Sequence, residues 1–169
     1  MSEKIRSIFL DRDGVINYNR NDYVKNIDEF IFLPDIFTFI KQLNKMEFVV
    51  FIITNQSAVN RGIISRKQLD QIHNFMLNEF KKNGCTIEKI YVCPHKPDED
   101  CLCRKPKPGM LINAINEYDV DIIKSWMIGD NLSDIHAADK SKLNSILIDK
   151  NTSLLDALLI IKSKHNSIS

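Results

Sequence analysis

The stretch Phe9-Leu10-Asp11-Arg12-Asp13-Gly14-Val15-Ile16-Asn17 decides how the rest of the chain reads. An apolar run, Ile5 to Leu10, breaks off into two aspartates and a glycine, with Asn17 close behind. This is the pattern of a buried strand running out into a polar loop. Residues two apart on a strand share a face, so Asp11 and Asp13 converge just past its end. Ligands of open α/β sheets bind beyond the carboxyl ends of strands. Paired carboxylates there fit a divalent cation, or a nucleophile beside an acid/base. The stretch also allows a plain polar loop with an Asx turn at Asp13-Gly14.

The chain has 169 residues, which fits one domain over residues 1–169, and its hydrophobic share of 44% is enough for a sizeable core. The 23 basic and 22 acidic residues nearly cancel, so no global field points to nucleic acid or an anionic membrane. No apolar run approaches the roughly 20 residues of a membrane span. Glu3, Lys4 and Arg6 precede an apolar run too short for a secretory signal. The expected compartment is the cytoplasm, and the expected state is a monomer. Thiols stay reduced there, so the four cysteines read as metal ligands or free thiols.

Outward from the opening stretch, a polar loop (Tyr18 to Asn26) precedes the apolar Phe30-Ile31-Phe32-Leu33. Its place beside Asp13 makes it a wall for a polar substrate. Pro34-Asp35 opens a helix whose Ile36, Phe39, Ile40 and Leu43 recur at helical spacing. Phe48 to Ile53 is a continuous β-branched and aromatic run, the mark of a strand buried on both faces. It ends in Thr54-Asn55-Gln56-Ser57, and Ser65 then caps a helix reaching about Lys82. His73 lies beside the apolar stripe of that helix and reads as packing or surface. Asn83-Gly84 stops the helix. Further strands are expected at Ile87–Val92, Trp126–Ile128 and Ser145–Ile148, with helices at Met110–Glu117, Ser133–Asp139 and Leu154–Ile161. Residues Lys162 to Ser169 read as a frayed tail. This alternation predicts parallel βαβ units around a central sheet flanked by helices.

In a parallel sheet the strand ends Asp11/Asp13, Thr54/Asn55 and Asp130/Asp134 share one edge. Carboxylates gathered there repel unless a cation joins them, and Mg²⁺ prefers carboxylate and phosphate oxygens. Asp134, near the start of a helix, supports the set or merely favours the helix dipole. Arg104-Lys105-Pro106-Lys107 is a stiffened cationic loop suited to an anion. Cys93, His95, Cys101 and Cys103 provide three sulfurs and one imidazole, a closed tetrahedral set typical of structural Zn²⁺. This zinc loop, residues 93–103, ends next to Arg104 and Lys105 and would hold them in place. Cys85, His136 and His165 are left without a role.

These features resemble the haloacid dehalogenase (HAD) superfamily of phosphatases: Asp-x-Asp-Gly, Thr-Asn, a lysine, then Gly-Asp-x-x-x-Asp after successive strands. Within it, Phe9–Asn17, Thr54–Ser57, Arg61-Gly62, Cys93-Pro94-His95, the run Cys101 to Met110 and Ile128–Asp130 are similar to the heptose bisphosphate phosphatases and their histidinol-phosphate relatives. The resemblance implies a single Rossmann-like domain without a large cap. It implies Asp11 as nucleophile and Asp13 as general acid/base. It gives Mg²⁺ to the Asp11 side chain, the Asp13 backbone carbonyl and Asp130. Thr54 and Lys105 would stabilise the phosphoryl group. Asn19, Arg20, Tyr23, Asn55 and Arg104 would bind substrate. A sugar phosphate of nucleotide-heptose biosynthesis is the implied substrate, with histidinol phosphate as the alternative. A polynucleotide 3′-phosphatase and a non-catalytic zinc-stabilised binding module are weaker alternatives. Three positions depart from the heptose pattern: Ala58 stands where glycine is common, Asn131 where some relatives have lysine, and the zinc loop is short.

Overall fold

Five strands alternate with helices in the computed structural model, which describes residues 4–166. They are β1 (Ser7–Leu10), β2 (Val49–Asn55), β3 (Lys89–Cys93), β4 (Trp126–Gly129) and β5 (Asn144–Leu147). All pair in parallel, in the order β3-β2-β1-β4-β5. Alternate side chains enter two separate cores, as the two-residue period of a strand requires. Ile8, Leu10, Val50, Ile52 and Ile128 face one layer, formed by α1 (Ile36–Lys45), α2 (Arg66–Lys82) and α5 (Leu154–Asn166). Phe9, Phe51, Ile53 and Met127 face the other, formed by α3 (Gly109–Tyr118) and α4 (Leu132–Lys140). Registered neighbours Phe9 and Phe51 stack with ring centroids 5.3 Å apart. The protein is thus an α/β/α sandwich built on a continuous parallel sheet, as the alternation of elements predicts.

From β1 the chain winds outward through β2 and β3, then returns to place β4 on the other side of β1. The strand order therefore reverses between β1 and β4, the point where such sheets bind ligands. After β1 the chain turns tightly, with Gly14 at φ +88° and Val15 and Ile16 tucked into the core. Asn17 then bridges Phe32 in antiparallel fashion. Residues 18–31 make a short out-and-back excursion containing one 3₁₀ turn, Ile27–Glu29, and no cap domain is inserted.

Several boundaries differ from expectation for tertiary reasons. The first strand begins at Ser7, and Ile5 instead makes an isolated bridge to Val120. Pro34 lies outside α1, whose cap Asp35 sits at φ +67°. The fourth helix starts at Leu132, one residue before Ser133, because the Asn131 side chain caps it through Ser133 N at 2.9 Å. Ser65 caps α2 as expected and forms a capping box with Gln68. Residues 162–166, expected to fray, continue α5. There Lys164 lies 4.9 Å from the Trp126 ring centroid and Arg6 Nη1 lies 2.9 Å from His165 Nδ1. Ser167 to Ser169, the rest of the expected tail, lie outside the described residues. No helix among those described is long and apolar enough to cross a membrane.

Candidate active site

Lys105 organises the carboxyl edge of the sheet. The residue is 4% exposed, yet the ammonium has three close oxygens, two as hydrogen-bond acceptors and the third as an ion-pair partner. They are Asp11 Oδ1 at 2.8 Å, the Ile53 carbonyl at 2.8 Å and Asp134 Oδ1 at 2.6 Å. Burial alone would discharge the lysine, but Asp11 and Asp134 outweigh it and raise its pKa above the ordinary value. Asp134 also accepts from the Asn131 amide at 3.1 Å, so it is a buried anchor for the lysine and the helix cap. Asp11 is the less comfortable partner. Burial pushes its carboxyl up to about 7, Lys105 pulling it down and Asp134 pushing it further up.

Asp11, Asp130 and Asp134 bring carboxylate oxygens within 4.8 Å of one another. Asp130 is raised by burial first and by Asp134 next. Such a set fits a hard divalent cation, whose charge would oppose the upward shifts and favour the carboxylate form of Asp11 and Asp130. Gly14 and Gly129 make the crowding possible, since a Cβ on the first would collide with the Asp130 carboxylate and on the second with that of Asp134. The expected ligand Asp13 does not join this cluster through its side chain. That leaves its backbone carbonyl, the atom the family resemblance assigns.

The Asp13 carboxylate turns into a cradle of N–H groups. Arg12 Nε and Nη2 donate to it at 3.1 and 2.9 Å, Asn17 Nδ2 at 2.9 Å and Gln56 Nε2 at 2.8 Å. Burial raises its pKa, but these donors, Arg12 foremost, outweigh burial and hold it below the usual carboxylate range. A proton placed on Asp13 finds only donors inside the cradle, so the protonated oxygen favours the cleft, where the side chain is 23% exposed. The two aspartates thus stand in opposed environments.

Thr54 is fully buried beneath the cleft, and its Oγ1 accepts from Gln56 Nε2 at 2.8 Å, which leaves its own hydroxyl proton to donate. Asn55, expected to touch substrate, lines the cleft, and its amide is held by the basic loop. Its Nδ2 donates to the Lys105 carbonyl at 3.1 Å and its Oδ1 accepts from Lys105 N at 3.2 Å. It therefore clamps the basic loop as a neighbouring strand would. Arg104 is held by the His95 carbonyl at 3.0 Å. An open cleft of about 460 Å³ is lined by Asp11, Asp13, Asn19, Arg20, Tyr23, Asn55, Arg104, Lys105 and Asp130 among others. Arg20 is paired with Asp22 at 3.0 Å, and Tyr23 Oη lies 3.4 Å from Ser57 Oγ.

The sequence reading missed Arg12, Asn17, Gln56 and His73. A charged residue between the two aspartates of a buried strand end was the available signal for Arg12. Ala58 is buried at ordinary negative φ, so the loop does not need glycine there.

Cys93, His95, Cys101 and Cys103 converge as predicted. Cys93 Sγ lies 3.5 Å from His95 Nδ1 and 3.6 Å from Cys101 Sγ. Cys103 Sγ lies 3.2 Å from His95 Nδ1 and 3.5 Å from Cys101 Sγ. A tetrahedron with bonds of about 2.3 Å has edges of roughly 3.7 Å, so the four atoms are spaced to hold one Zn²⁺. Gly109 lets α3 start against the Leu102 carbonyl, packing this loop onto the sheet sandwich.

The HAD-hydrolase-like family profile matches residues 102–165. The D-glycero-alpha-D-manno-heptose-1,7-bisphosphate 7-phosphatase of Campylobacter jejuni is 41% identical over 145 residues, covering 86% of this chain and 83% of its own. The beta-anomer enzyme of Photorhabdus laumondii is 39% identical over 152 residues, covering 86% and 80%. The crystal structure of the B. bronchiseptica D,D-heptose 1,7-bisphosphate phosphatase with magnesium and phosphate superposes with a TM-score of 0.87 at 31% identity, over 95% of this chain and 99% of that one. With relatives this similar over most of both lengths, the chain belongs to the heptose bisphosphate phosphatase family of HAD-type phosphoric monoester hydrolases.

Proposed function

We propose that this protein removes the 7-phosphate of a D-glycero-D-manno-heptose 1,7-bisphosphate, as a cytoplasmic step of nucleotide-heptose biosynthesis. The observation that carries the chemistry is the split between the two aspartates. Among the described residues no hydrogen bond falls on Asp11 Oδ2, which leaves one oxygen of a lysine-anchored carboxylate for phosphorus. Asp13 faces the same cleft as a carboxylate held by Arg12, Asn17 and Gln56, where it can take a proton and pass it on. The division of roles rests on this geometry, because Asp11 keeps one oxygen without a donor while both oxygens of Asp13 are held by donors.

Asp11 attacks phosphorus and the bond to O7 breaks. Asp13 gives its proton to the departing O7, and an aspartyl-phosphate remains. Asp13 then takes a proton from water as the water oxygen attacks phosphorus, and Asp11 and inorganic phosphate are released. Lys105 and the Thr54 hydroxyl supply positive charge and a hydrogen bond to the transferring oxygens. Mg²⁺ held by Asp11, Asp130 and the Asp13 carbonyl would neutralise the phosphoryl charge. Zn²⁺ on the four-residue cluster would hold Arg104 and Lys105 in place. Arg104 and Arg20 line the same cleft and offer charge to the second phosphate.

The substrate assignment is supported by the named relatives and by an uncapped cleft that admits a sugar bisphosphate. Comparing kcat/KM for both anomers of heptose bisphosphate with histidinol phosphate tests it. A preference for a heptose bisphosphate of about 100-fold or more is expected. A preference for histidinol phosphate sinks the assignment.

Gly14→Ala tests the crowding at the carboxylates. The left-handed backbone costs a side chain about 1–2 kcal/mol. The larger effect is displacement of Asp130, and a misplacement near 1 Å can cost about 100-fold in rate. Turnover should fall at least about tenfold while the protein remains folded by thermal melting. Unchanged turnover would contradict the packing described.

A further inference from the structure

Arg12 is the largest fully buried side chain among the described residues, at 1% exposure. Two of its nitrogens fork onto Asp13, and its carbon lies 5.8 Å from the Phe30 ring centroid. The remaining nitrogen, Nη1, lies 3.1 Å from His73 Nε2 on α2. A guanidinium has no acceptor, so Nη1 donates and His73 Nε2 receives. This fixes the histidine as a neutral ring with its proton on Nδ1. Burial, and the Arg12 charge after it, lower the His73 pKa to about 3, which keeps the ring neutral.

We infer that His73 is a positioning residue for the acid/base carboxylate, acting through Arg12 to hold the fork on Asp13. The inference rests on the reading of Asp13 as the proton carrier. The physical reason is the accounting of one guanidinium. Without His73, Nη1 is a donor of a buried cation with no partner, which carries a large desolvation cost. The guanidinium relieves it by shifting toward water in the cleft, which Arg12 lines beside Asp13. Asp13 is attached to the same guanidinium by two bonds and moves with it. A lysine or a charged histidine at position 73 would repel Arg12, so the position requires a neutral acceptor of this reach.

A histidine that merely fills space would give a different kinetic signature. Protonation of the leaving oxygen is essential for an alkyl phosphate and nearly irrelevant for p-nitrophenyl phosphate, whose leaving group departs as a stable anion. The test compares kcat/KM on p-nitrophenyl phosphate with that on the sugar phosphate turned over fastest, for wild type, Asp13→Asn, His73→Leu and His73→Gln. Asp13→Asn should lose about 10²–10⁴-fold on the alkyl ester and far less on the aryl ester. His73→Leu should show the same pattern, with the alkyl-to-aryl ratio falling about tenfold or more. Glutamine places its amide oxygen near the lost Nε2 and should restore the ratio to within about threefold. If the leucine variant does not fold, His73→Asn answers instead, since it keeps an amide but lacks the reach. Parallel loss on both substrates, or an unchanged ratio in folded protein, overturns the role of His73 when Asp13→Asn discriminates between them. If Asp13→Asn itself does not discriminate, the reading of Asp13 falls and this inference with it.

Discussion

Asp11→Asn is expected to abolish phosphate release, by about 10⁴-fold or more, while leaving the protein folded. The amide cannot form the acyl phosphate. Asp13 is engaged by Arg12, Asn17 and Gln56, and Asp134 by Lys105 and the Asn131 amide. The same variant has a stability signature of opposite sign. Burial holds Asp11 at about 7 in the protein without metal, against roughly 3.9 in an unfolded chain. The unfolded state therefore releases its proton at lower pH than the native state. The native state loses the contribution of this group as pH rises between these values. Asparagine removes that penalty. Metal-free Asp11→Asn should melt higher than wild type at pH 8, and the difference should vanish below about pH 4. Mg²⁺ should raise the wild-type melting temperature and do little for the variant. Substantial residual turnover would refute the nucleophile. A lower melting temperature at pH 8 would refute the electrostatic account.

Loss of zinc is expected to have the largest effect on stability. Before Lys105, which Asp11, Asp134 and Asn55 anchor, the loop between β3 and α3 has few other restraints. Asn60 Nδ2 bonds Glu99 at 2.9 Å, Arg104 bonds the His95 carbonyl, and Lys107 meets Asp100 on the surface. Exposed pairs of this kind contribute about 0–1 kcal/mol each. A tetrahedral metal site contributes several times that. Metal analysis of protein purified without chelators should find about one zinc per chain. A strong zinc chelator, or Cys103→Ser, should lower the melting temperature by roughly 10 °C, since about 1 kcal/mol shifts a domain of this size by 2–4 °C. Turnover should fall about 100-fold at a temperature where the sheet stays folded, because Lys105 follows Cys103 by two residues. Zn²⁺ should restore both properties, and excess Mg²⁺ should restore neither. Protein that contains no zinc yet is fully active would defeat the scaffold role.

Much of this was legible without coordinates. Strands buried on both faces announce themselves by continuous apolar runs, and Asp11, Thr54 and Asp130 mark where those runs end. The Cys/His cluster was legible because its four members lie within eleven consecutive positions, 93–103. Hydrophobic period, capping chemistry and ligand spacing are local properties, so a single sequence displays them.

The partners of buried polar groups are not local. Asn55 was read as a substrate contact, yet its amide is consumed by Lys105, fifty positions away. His73 and Arg12 are separated by sixty-one positions and meet only because α2 packs across the end of β1. Residues 162–166 of the expected tail became the end of α5 because Arg6, Phe48 and Trp126 line up beneath them at the opposite edge of the sheet. By itself the sequence determined the sheet, its polar edge and the metal-binding loop. Only the tertiary structure decided that Asp13 turns into a cradle while Asp11 keeps a free oxygen, since that depends on which donors the packing delivers to each carboxylate.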